Sequence, residues 1–437
     1  FVTGCADVLL PAARCEYSGD VRATSSQALS MAFKSACMSD AEGRTGGVAQ
    51  SLLPAAARAL SEQLGREDDD DEDDIENRHA VADALSEIMW DAHERRTRDG
   101  RRVARIAVGD ARDIVRSLMS LVEACVARRS ALLSEMADCS FDNDEVCRME
   151  VKIQAEADYL THLVDSAGYQ LKMLGEGFAP IFEESIAGPL ARILSPPGGG
   201  ARYDARARLA AVCLLDDCVE HCGSAAARAH APALLGAVRE ALGRDGIEAD
   251  AELKQAAAYG ISQVARRAPT ALSAAAGREL LMKVYDIARE VEAVSKEDME
   301  HVYMVENSVS AMASLALLRG SPLFESVLDK SALMKVFLCG LPLEQDFDEA
   351  KICHDGLCDL VESNMISVQS EYGALIRIVG KILALVSEGE EIASQGTCSR
   401  LIGVITKIQQ AVDGNMIQAV FSTMEPDVQQ ALVAAMQ

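Results

Sequence analysis

Two groups of carboxylates have the types and spacing to bind a basic partner. They are Asp216, Asp217 and Glu220 in the first group, and Asp355, Asp359 and Glu362 in the second. At about 100° per residue, each group falls together on one side of a helix, beside an apolar stripe. Aligned acids repel one another unless a cation relieves them, so each row can face Lys and Arg of a partner. A solvated outer face is the competing interpretation.

Three further polar residues complete the set of candidate partner-binding residues: Glu306, Asn307 and Asn364. An asparagine side chain donates and accepts at once, so it can hydrogen-bond the backbone of an extended peptide. The same side chain can equally cap or bridge neighbouring helices. Contact with a peptide is therefore a hypothesis that stands beside a structural role.

Four neighbouring residues have side chains of the types that can bind zinc: Cys213, Cys218, His221 and Cys222. Three of them share a helix face, but Cys213 lies about 140° around the helix from Cys218, so the four cannot converge from one helix. We predict buried thiols and no metal. The phosphate-loop, GxSxG and HExxH motifs are absent, and we predict no catalytic residues, no cofactor and no enzymatic activity.

A run of acidic residues and a cluster of basic ones lie close together in the sequence. Every residue of the run 67–76 except Ile75 is acidic, and such dense charge opposes a helix and predicts a solvated loop. The basic cluster consists of Arg95, Arg96, Arg98, Arg101 and Arg102. It could bind phosphate groups, but no aromatic residues interleave with it. A solvated loop that pairs with the acidic run is the favoured interpretation.

Composition limits the class of partner. The chain has 437 residues, a formal net charge of -26 and 4% aromatic residues. This charge repels nucleic acid and anionic membranes and favours basic proteins, although acidity also serves solubility. The 13 cysteines are scattered singly, which is typical of a reducing compartment. No run of about 18 apolar residues is present, so we predict no membrane span.

Apolar periodicity indicates an all-α fold. In the segment 252–267, Leu253, Ala257, Gly260 and Val264 recur at steps of three and four, which predicts an amphipathic helix whose small residues permit close packing. The predicted helices of the first half are 1–17, 21–38 with Asp20 as its cap, 47–64, 75–93, 112–136, 145–173 and 178–194. Those of the second half are 225–242, 270–291, 322–340 and 369–386, alternating with helices that begin near 203, 250, 299, 347 and 391, and ending with 415–423 and 426–436.

In the second half the predicted helix pairs recur about every 50 residues, close to the period of HEAT and armadillo arrays. We predict a single solenoid of antiparallel helix pairs over 1–437, with less regular repeats in 1–194 and regular repeats with a C-terminal capping helix in 201–437. The Pro- and Gly-rich segment 195–200 is either a hinge or an ordinary loop. The chain begins in apolar helical sequence without Met, and we expect a piece of a longer protein.

Four segments of the second half form an ordered set: CLLDDCVEHC at 213–222, KQAAAYG at 254–260, ENSVSAM at 306–312 and LCDLVESN at 357–364. Together they resemble the C-terminal HEAT repeats of the importin-β family of nuclear transport receptors, in the same order and at similar spacing. The importin five (karyopherin beta-three) type is the most similar branch. The segment 20–33 also resembles an earlier HEAT helix of that branch.

The resemblance implies a right-handed superhelical HEAT-repeat solenoid of about eight repeats. It implies a receptor of the cytoplasm, nucleus and nuclear pore, whose partners are basic cargo with nuclear localisation signals, the GTPase Ran and Phe-Gly nucleoporins, without direct nucleic-acid binding or membrane insertion. The loops 67–76 and 196–200 depart from the family pattern, and the family's N-terminal repeats, which supply the main Ran-binding surface, are absent. The alternative function is a HEAT-repeat scaffold subunit of another multiprotein complex.

Overall fold

The structure is a computed structural model that describes residues 2–66, 72–138, 143–195, 203–243, 250–317 and 330–437. The chain divides into two compact units, Phe1–His230 and Ala231–Gln437. Within the described ranges every regular element is helical, and the one isolated β-bridge joins Arg96 to Arg102. The predicted helical character is therefore observed, whereas a single solenoid over 1–437 stays a prediction.

The helices of the first unit are α1 (Val2–Ala12), α2 (Gly19–Ala41), α3 (Val48–Leu64), α4 (Glu72–Glu94), α5 (Val108–Asp138), α6 (Asn143–Leu174), α7 (Ala179–Ile181), α8 (Ala187–Leu194) and α9 (Ala205–His221). A 3-10 turn, Gly175–Phe178, follows α6, and a π-helical turn, Phe182–Ile186, joins α7 to α8. Helix α10 (Gly223–Ala241) contains the boundary between the units.

The helices of the second unit are α11 (Ala251–Arg267), α12 (Ala274–Ala288), α13 (Met299–Ala316), α14 (Lys330–Cys339), α15 (Phe347–Glu362), α16 (Val368–Glu388), α17 (Gln395–Ala411), α18 (Gly414–Phe421) and α19 (Pro426–Ala435). They reproduce the predicted alternation of first and second helices. The residues of 322–340 before Lys330 lie outside the described part of the chain.

In each unit the second helices of successive pairs pack side by side, and we call this layer the second-helix row. In the first unit it runs through α2, α4, α6 and α9, and in the second through α11, α13, α15 and α17. First helices form the other layer, with α1, α3 and α5 in succession, and with α12, α14 and α16. The buried small residues Ala257, Ala258 and Gly260 of α11 permit the close packing that the sequence predicted.

Polar side chains begin many of these helices. The residues Ser18, Asp204, Asp250, Ser273, Asp298, Asp346, Ser367, Ser394 and Asp413 each accept a hydrogen bond from a first-turn backbone N–H. The prediction of Asp20 as the cap of α2 is wrong. Ser18 has the extended backbone that a cap requires, and Asp20 already lies in the first helical turn.

The acidic run differs from the predicted loop. Residues 72–76 form the start of α4, because carboxylates are stabilised at a helix N-terminus, where unbonded N–H groups carry partial positive charge. Residues 67–71 and 196–200 lie outside the described residues. The first predicted helix is also shorter than expected and ends at Ala12. Among the helices that the structure describes, none has the length and apolar character needed to cross a membrane.

Candidate binding surface

A groove crosses the second-helix row of the second unit. It has a volume of 620 Å³ and is lined by residues of α11, α13, α15 and the first turns of α17. Its apolar lining includes Ala313, Leu317 and Ile352. The charged lining residues are Arg266, Lys351, Asp355, Asp359 and Arg400. The groove therefore offers a partner apolar contact together with charges of both signs.

Arg400 of α17 binds all three carboxylates of the acidic row on α15. Its Nη1 donates to Asp355 at 2.7 Å, its Nε to Glu362 at 3.1 Å, and its Nη2 to Glu362 at 2.9 Å and to Asp359. These bonds, with that of Glu362 the largest, raise the pKa of Arg400, and Arg400 in turn lowers the pKa of Glu362. The sequence predicts that this acidic row binds a cation of a partner. In the structure the row instead binds Arg400, which belongs to the next helix pair of the same chain.

Two oxygens of this acidic row remain open for a partner. Arg400 uses Oδ1 of Asp355 and Oδ1 of Asp359, and within the described ranges neither Oδ2 has a hydrogen bond. The two side chains are 46% and 50% exposed, and both line the groove. Because one guanidinium faces three carboxylates, the row keeps a net negative charge that a basic side chain can approach.

The acidic group on α9 is more enclosed than the sequence predicts. Asp216 is 2% exposed, and its Oδ1 has no hydrogen-bond partner in the described part of the chain. Burial raises its pKa well above the usual range, and the neighbouring Asp217 adds to the shift. Asp217 forms an ion pair with Lys172 of α6 at 3.1 Å, yet burial still raises its pKa to about 6. The three acids of α9 therefore do not form an open row, because α6 packs against α9.

Glu306 and Asn307 of α13 hold the start of α15. The Glu306 carboxylate accepts hydrogen bonds from the backbone N–H groups of Glu344, Gln345 and Asp346 at 2.8 to 3.2 Å. Asn307 Nδ2 donates to Asp346 Oδ2 and to the Tyr303 carbonyl, both at 3.0 Å. Burial raises the pKa of Glu306, and its backbone hydrogen bonds oppose that shift. The structure thus supports the bridging role that the sequence left open for this pair.

Asn364 lies just after α15, where it ends the helix. Its backbone has a φ of 60°, in the left-handed region that asparagine tolerates better than most residues. Its N–H donates to the Val361 carbonyl at 3.2 Å. Its side chain is exposed. Helix termination accounts for an asparagine here, and peptide contact stays a prediction.

Sequence reasoning missed two buried polar residues of α15. His354 is fully buried, with its Nδ1 2.9 Å from the Ile392 carbonyl and with the Leu343 N–H donating to its Nε2 at 3.2 Å. These contacts require a neutral ring with the proton on Nδ1, and burial lowers the pKa of His354 to about 4. Glu349, 1% exposed, pairs with Arg266. The one available signal was that His354 occupies the apolar stripe three residues before Leu357.

Comparison with known proteins supports the fold. No family model matches the chain. The karyopherin Kap121p bound to the SUMO protease Ulp1p is similar, with a TM-score of 0.66 and 16% identity over 100% of this chain and 35% of that chain. Kap121p bound to Nup53p gives a TM-score of 0.65 and 16% identity over 99% of this chain and 34% of that chain. Kap121p bound to Pho4p gives a TM-score of 0.64 and 16% identity over 99% of this chain and 35% of that chain.

These similarities confirm the predicted all-α HEAT-repeat solenoid, and the chain has an importin-β-like fold. This chain spans 35% of the length of the first of these karyopherin structures. The matched protein in each case is the karyopherin Kap121p. Binding of cargo, a GTPase or pore proteins by this chain is a proposal.

Proposed function

We propose that this chain is the HEAT-repeat portion of a nuclear import receptor of the importin-β family, of the importin five type, and that it binds basic segments of cargo proteins. The karyopherin-like fold along the whole chain carries this proposal. The four sequence segments that resemble the family support it further. The net charge of -26 favours basic partners over polyanions.

In this proposal the cargo lies along the groove of the second unit. Asp355 and Asp359 are the principal contacts, because their side chains are about half exposed and their Oδ2 atoms have no hydrogen bond within the described ranges. Glu362 adds negative charge next to them. Asp216, Glu306 and Asn307 are left out of the docking surface, since their side chains are buried. In the first unit Asp217 and Glu220 contribute to the field of the second-helix row.

The test is a titration of the intact chain with a labelled Lys/Arg-rich peptide at low and high salt, followed by fluorescence anisotropy. Asp355→Asn together with Asp359→Asn keeps the shape of both side chains and the acceptor oxygens for Arg400. Each exposed charge pair is worth up to about 1 kcal/mol, so we expect binding to weaken roughly tenfold at low salt. The difference between the two proteins should shrink at high salt.

Asp113→Asn with Asp286→Asn is the matched control, because it removes two well-exposed carboxylates on other helices. This control should bind as the unmodified chain does. Equal affinities for the unmodified chain and the groove variant would remove the groove from the cargo site. The two groove carboxylates would then make no contribution to peptide binding.

Ran is the second proposed partner. The family implies that its GTP-bound form competes with cargo. GTP-loaded Ran should release the labelled peptide and GDP-loaded Ran should not. A matching distribution between cytoplasm and nucleus, with accumulation at nuclear pores, is the proposed cellular location.

Nucleoporins are the third proposed partner class, and Kap121p has been solved bound to Nup53p. A pocket of 250 Å³ near the start of α13, with both apolar and charged lining residues, is the proposed contact for a phenylalanine side chain. It is lined by Val291, Val294, Val302, Val305, Leu341 and Pro342, among others. Val294→Asp should weaken binding of a Phe-Gly peptide, whereas Val151→Asp, at an exposed position on α6, should not.

A HEAT-repeat scaffold subunit of another complex is the alternative function. One observation favours it: the acidic rows already have internal partners, Arg400 for the row on α15 and Lys172 for Asp217. A scaffold would ignore both the basic peptide and the nucleotide state of Ran. The same titrations therefore separate the two functions.

A further inference from the structure

The basic cluster forms a folded hairpin between α4 and α5, which we call the basic hairpin (residues 95–105). The Thr97 N–H donates to the Arg101 carbonyl at 2.7 Å, and the Val103 N–H donates to the Arg95 carbonyl at 3.1 Å. Gly100, with a φ of 79°, closes the turn through a hydrogen bond to the Thr97 carbonyl. Arg96, Arg98, Arg101 and Arg105 are exposed, as in the solvated loop that the sequence predicted, and the hydrogen bonds add a defined backbone conformation.

Two contacts fix the basic hairpin to the first unit. The Arg102 guanidinium donates to the carbonyls of Lys172 and Met173 at the end of α6, each at 3.2 Å. The side-chain amide of Gln50 on α3 pairs with the backbone of Arg105, at 2.8 and 3.0 Å. Val103 is buried between these anchors. The exposed arginines are therefore presented from a rigid support, which reduces the entropy lost when they bind a ligand.

Most of the positive charge of the basic hairpin has no internal counter-ion. Arg101 pairs with Asp99 and Arg95 with Asp91. Arg98 and Arg105 have no ion pair within the described ranges, and the Arg96 guanidinium reaches only backbone carbonyls. The exposed arginines are thus available to an anionic partner.

The electrostatics of the neighbouring side chains agree with this arrangement. Burial, together with the charges of Arg102, Lys172 and Arg96, lowers the pKa of His93 to about 4. Burial also lowers the pKa of Arg102, and the like charges of Arg96 and Arg105 add to that effect, whereas the neighbouring Glu94 opposes it. Positive potential therefore remains at the end of α4, although the chain as a whole is strongly acidic.

The described part of the acidic run, residues 72–76, lies at the opposite end of α4 from the basic hairpin. They begin α4, and the hairpin follows the end of that helix. A helix of 23 residues separates its two ends by roughly 33 Å, which is several Debye lengths at physiological salt. The predicted pairing of the basic cluster with the acidic run stays a prediction, because residues 67–71 lie outside the described part of the chain.

We propose that the basic hairpin is a docking surface for a short acidic segment of a partner protein. Carboxylates of an extended Asp/Glu-rich peptide would reach Arg96, Arg98 and Arg105 together, and a guanidinium binds a carboxylate through two parallel hydrogen bonds. A short segment touches only the hairpin. A long polyanion such as nucleic acid would also have to cross a surface of strongly negative net charge, and the hairpin itself contains no aromatic residue for base stacking.

This docking surface is independent of the proposed cargo groove. The hairpin belongs to the first unit and the groove to the second. It would bind acidic peptides, whereas the groove would bind basic ones. Failure of either proposal leaves the other in place.

Trp90 provides an intrinsic reporter for this test. It is the single tryptophan of the chain, is 39% exposed, and lies under the Arg95 guanidinium at 5.6 Å. A short Glu–Gly repeat peptide should change the Trp90 fluorescence of the intact chain in a saturable way, and calorimetry should give the same affinity. The corresponding Gln–Gly peptide should not bind.

Arg98→Glu with Arg105→Glu should weaken Glu–Gly binding about tenfold or more, since two attractive contacts become repulsive. The matched control is Arg228→Glu with Arg278→Glu, which changes the net charge equally at exposed positions elsewhere. The control should retain at least half of the affinity. Arg98→Gln with Arg105→Gln, which introduces no new repulsion, should show an intermediate loss.

Three outcomes would overturn the proposal. The first is the absence of saturable binding of the Glu–Gly peptide. The second is an equal loss in the hairpin variant and in the control, which would indicate a response to net charge alone. The third is tighter binding of a single-stranded oligonucleotide than of the peptide, with the same sensitivity to Arg98→Glu and Arg105→Glu, which would assign the hairpin to nucleic acid.

Discussion

Arg266 of α11 donates to Glu349 of α15 at 3.1 Å, although α13 lies between these two helices in the second-helix row. Ser310 of α13 donates to the same carboxylate. One buried carboxylate therefore ties three successive helix pairs together. A buried ion pair contributes little to stability relative to apolar packing, but removal of one partner leaves the other charge uncompensated.

Glu349→Gln should lower the free energy of unfolding by about 2 kcal/mol, because Arg266 then loses its counter-ion in a largely enclosed site. Urea denaturation followed by circular dichroism measures the change. Glu279→Gln is the control, since Glu279 pairs with Arg239 at 3.3 Å on the surface. Its effect should stay within about 0.5 kcal/mol. Similar effects of the two variants would contradict a bridging role for Glu349.

His354 should make the stability of the second unit depend on pH. Its folded pKa of about 4 lies below the value of roughly 6.5 expected in the unfolded chain. The unfolded state therefore binds more protons between these values, so the stabilising contribution is complete above pH 6.5 or so and is lost as the pH falls towards 4. The loss should reach about 3 kcal/mol.

The contribution of His354 is measured as the difference between the unmodified chain and His354→Gln across this pH range. The variant should be less stable near neutral pH and should approach the unmodified chain near pH 4. His301→Gln changes an exposed histidine and controls for the loss of one imidazole from the surface. Parallel curves for the unmodified chain and His354→Gln would exclude the proposed neutral, doubly bonded ring.

Asp216→Asn should stabilise the first unit near neutral pH. The raised pKa of Asp216 means that its ionised form is unfavourable in the folded state, so stability falls as the pH rises above the unfolded value of about 4. An amide removes that cost, and we expect a gain of about 0.5–2 kcal/mol at neutral pH that disappears below pH 4 or so. Thermal unfolding at several pH values tests this, and Asp286→Asn, at an exposed site, should show no gain.

Arg400→Gln should affect stability and binding in opposite directions. The three acids of α15 lose their shared cation, which should cost roughly 1 kcal/mol after screening by solvent, with less cost at high salt. The more negative row should then bind the basic peptide several-fold more tightly at low salt. Weaker binding by Arg400→Gln would indicate that Arg400 positions Asp355 and Asp359 for the partner and does not compete with it.

The helices themselves could be read from the sequence. The segment 252–267 predicted a helix, and α11 covers it with one additional residue, because apolar periodicity and the cap at Asp250 are local properties of the chain. The roughly 50-residue repeat in the same way predicted the order of helix pairs, since a repeat buries its apolar face only against its neighbours.

The partners of the charged residues could not be read in this way. The i, i+4, i+7 spacing placed Asp355, Asp359 and Glu362 on one face, but Arg400 reaches them from the next helix pair. Glu306 likewise meets backbone N–H groups that lie 38 to 40 residues further along the chain. Such contacts depend on how neighbouring helix pairs stack, and local periodicity carries no information on that stacking.

The sequence by itself determined the helical class, the pairing of helices and the faces that carry charge, because short-range spacing controls these features. Only the tertiary structure decided which charges are neutralised inside the chain and which stay open to partners. Asp216 is buried, Asp355 forms an ion pair with Arg400, and Arg98 is exposed on the basic hairpin. The reason is physical: the effective charge of a side chain depends on its burial and on neighbours that are distant in the sequence.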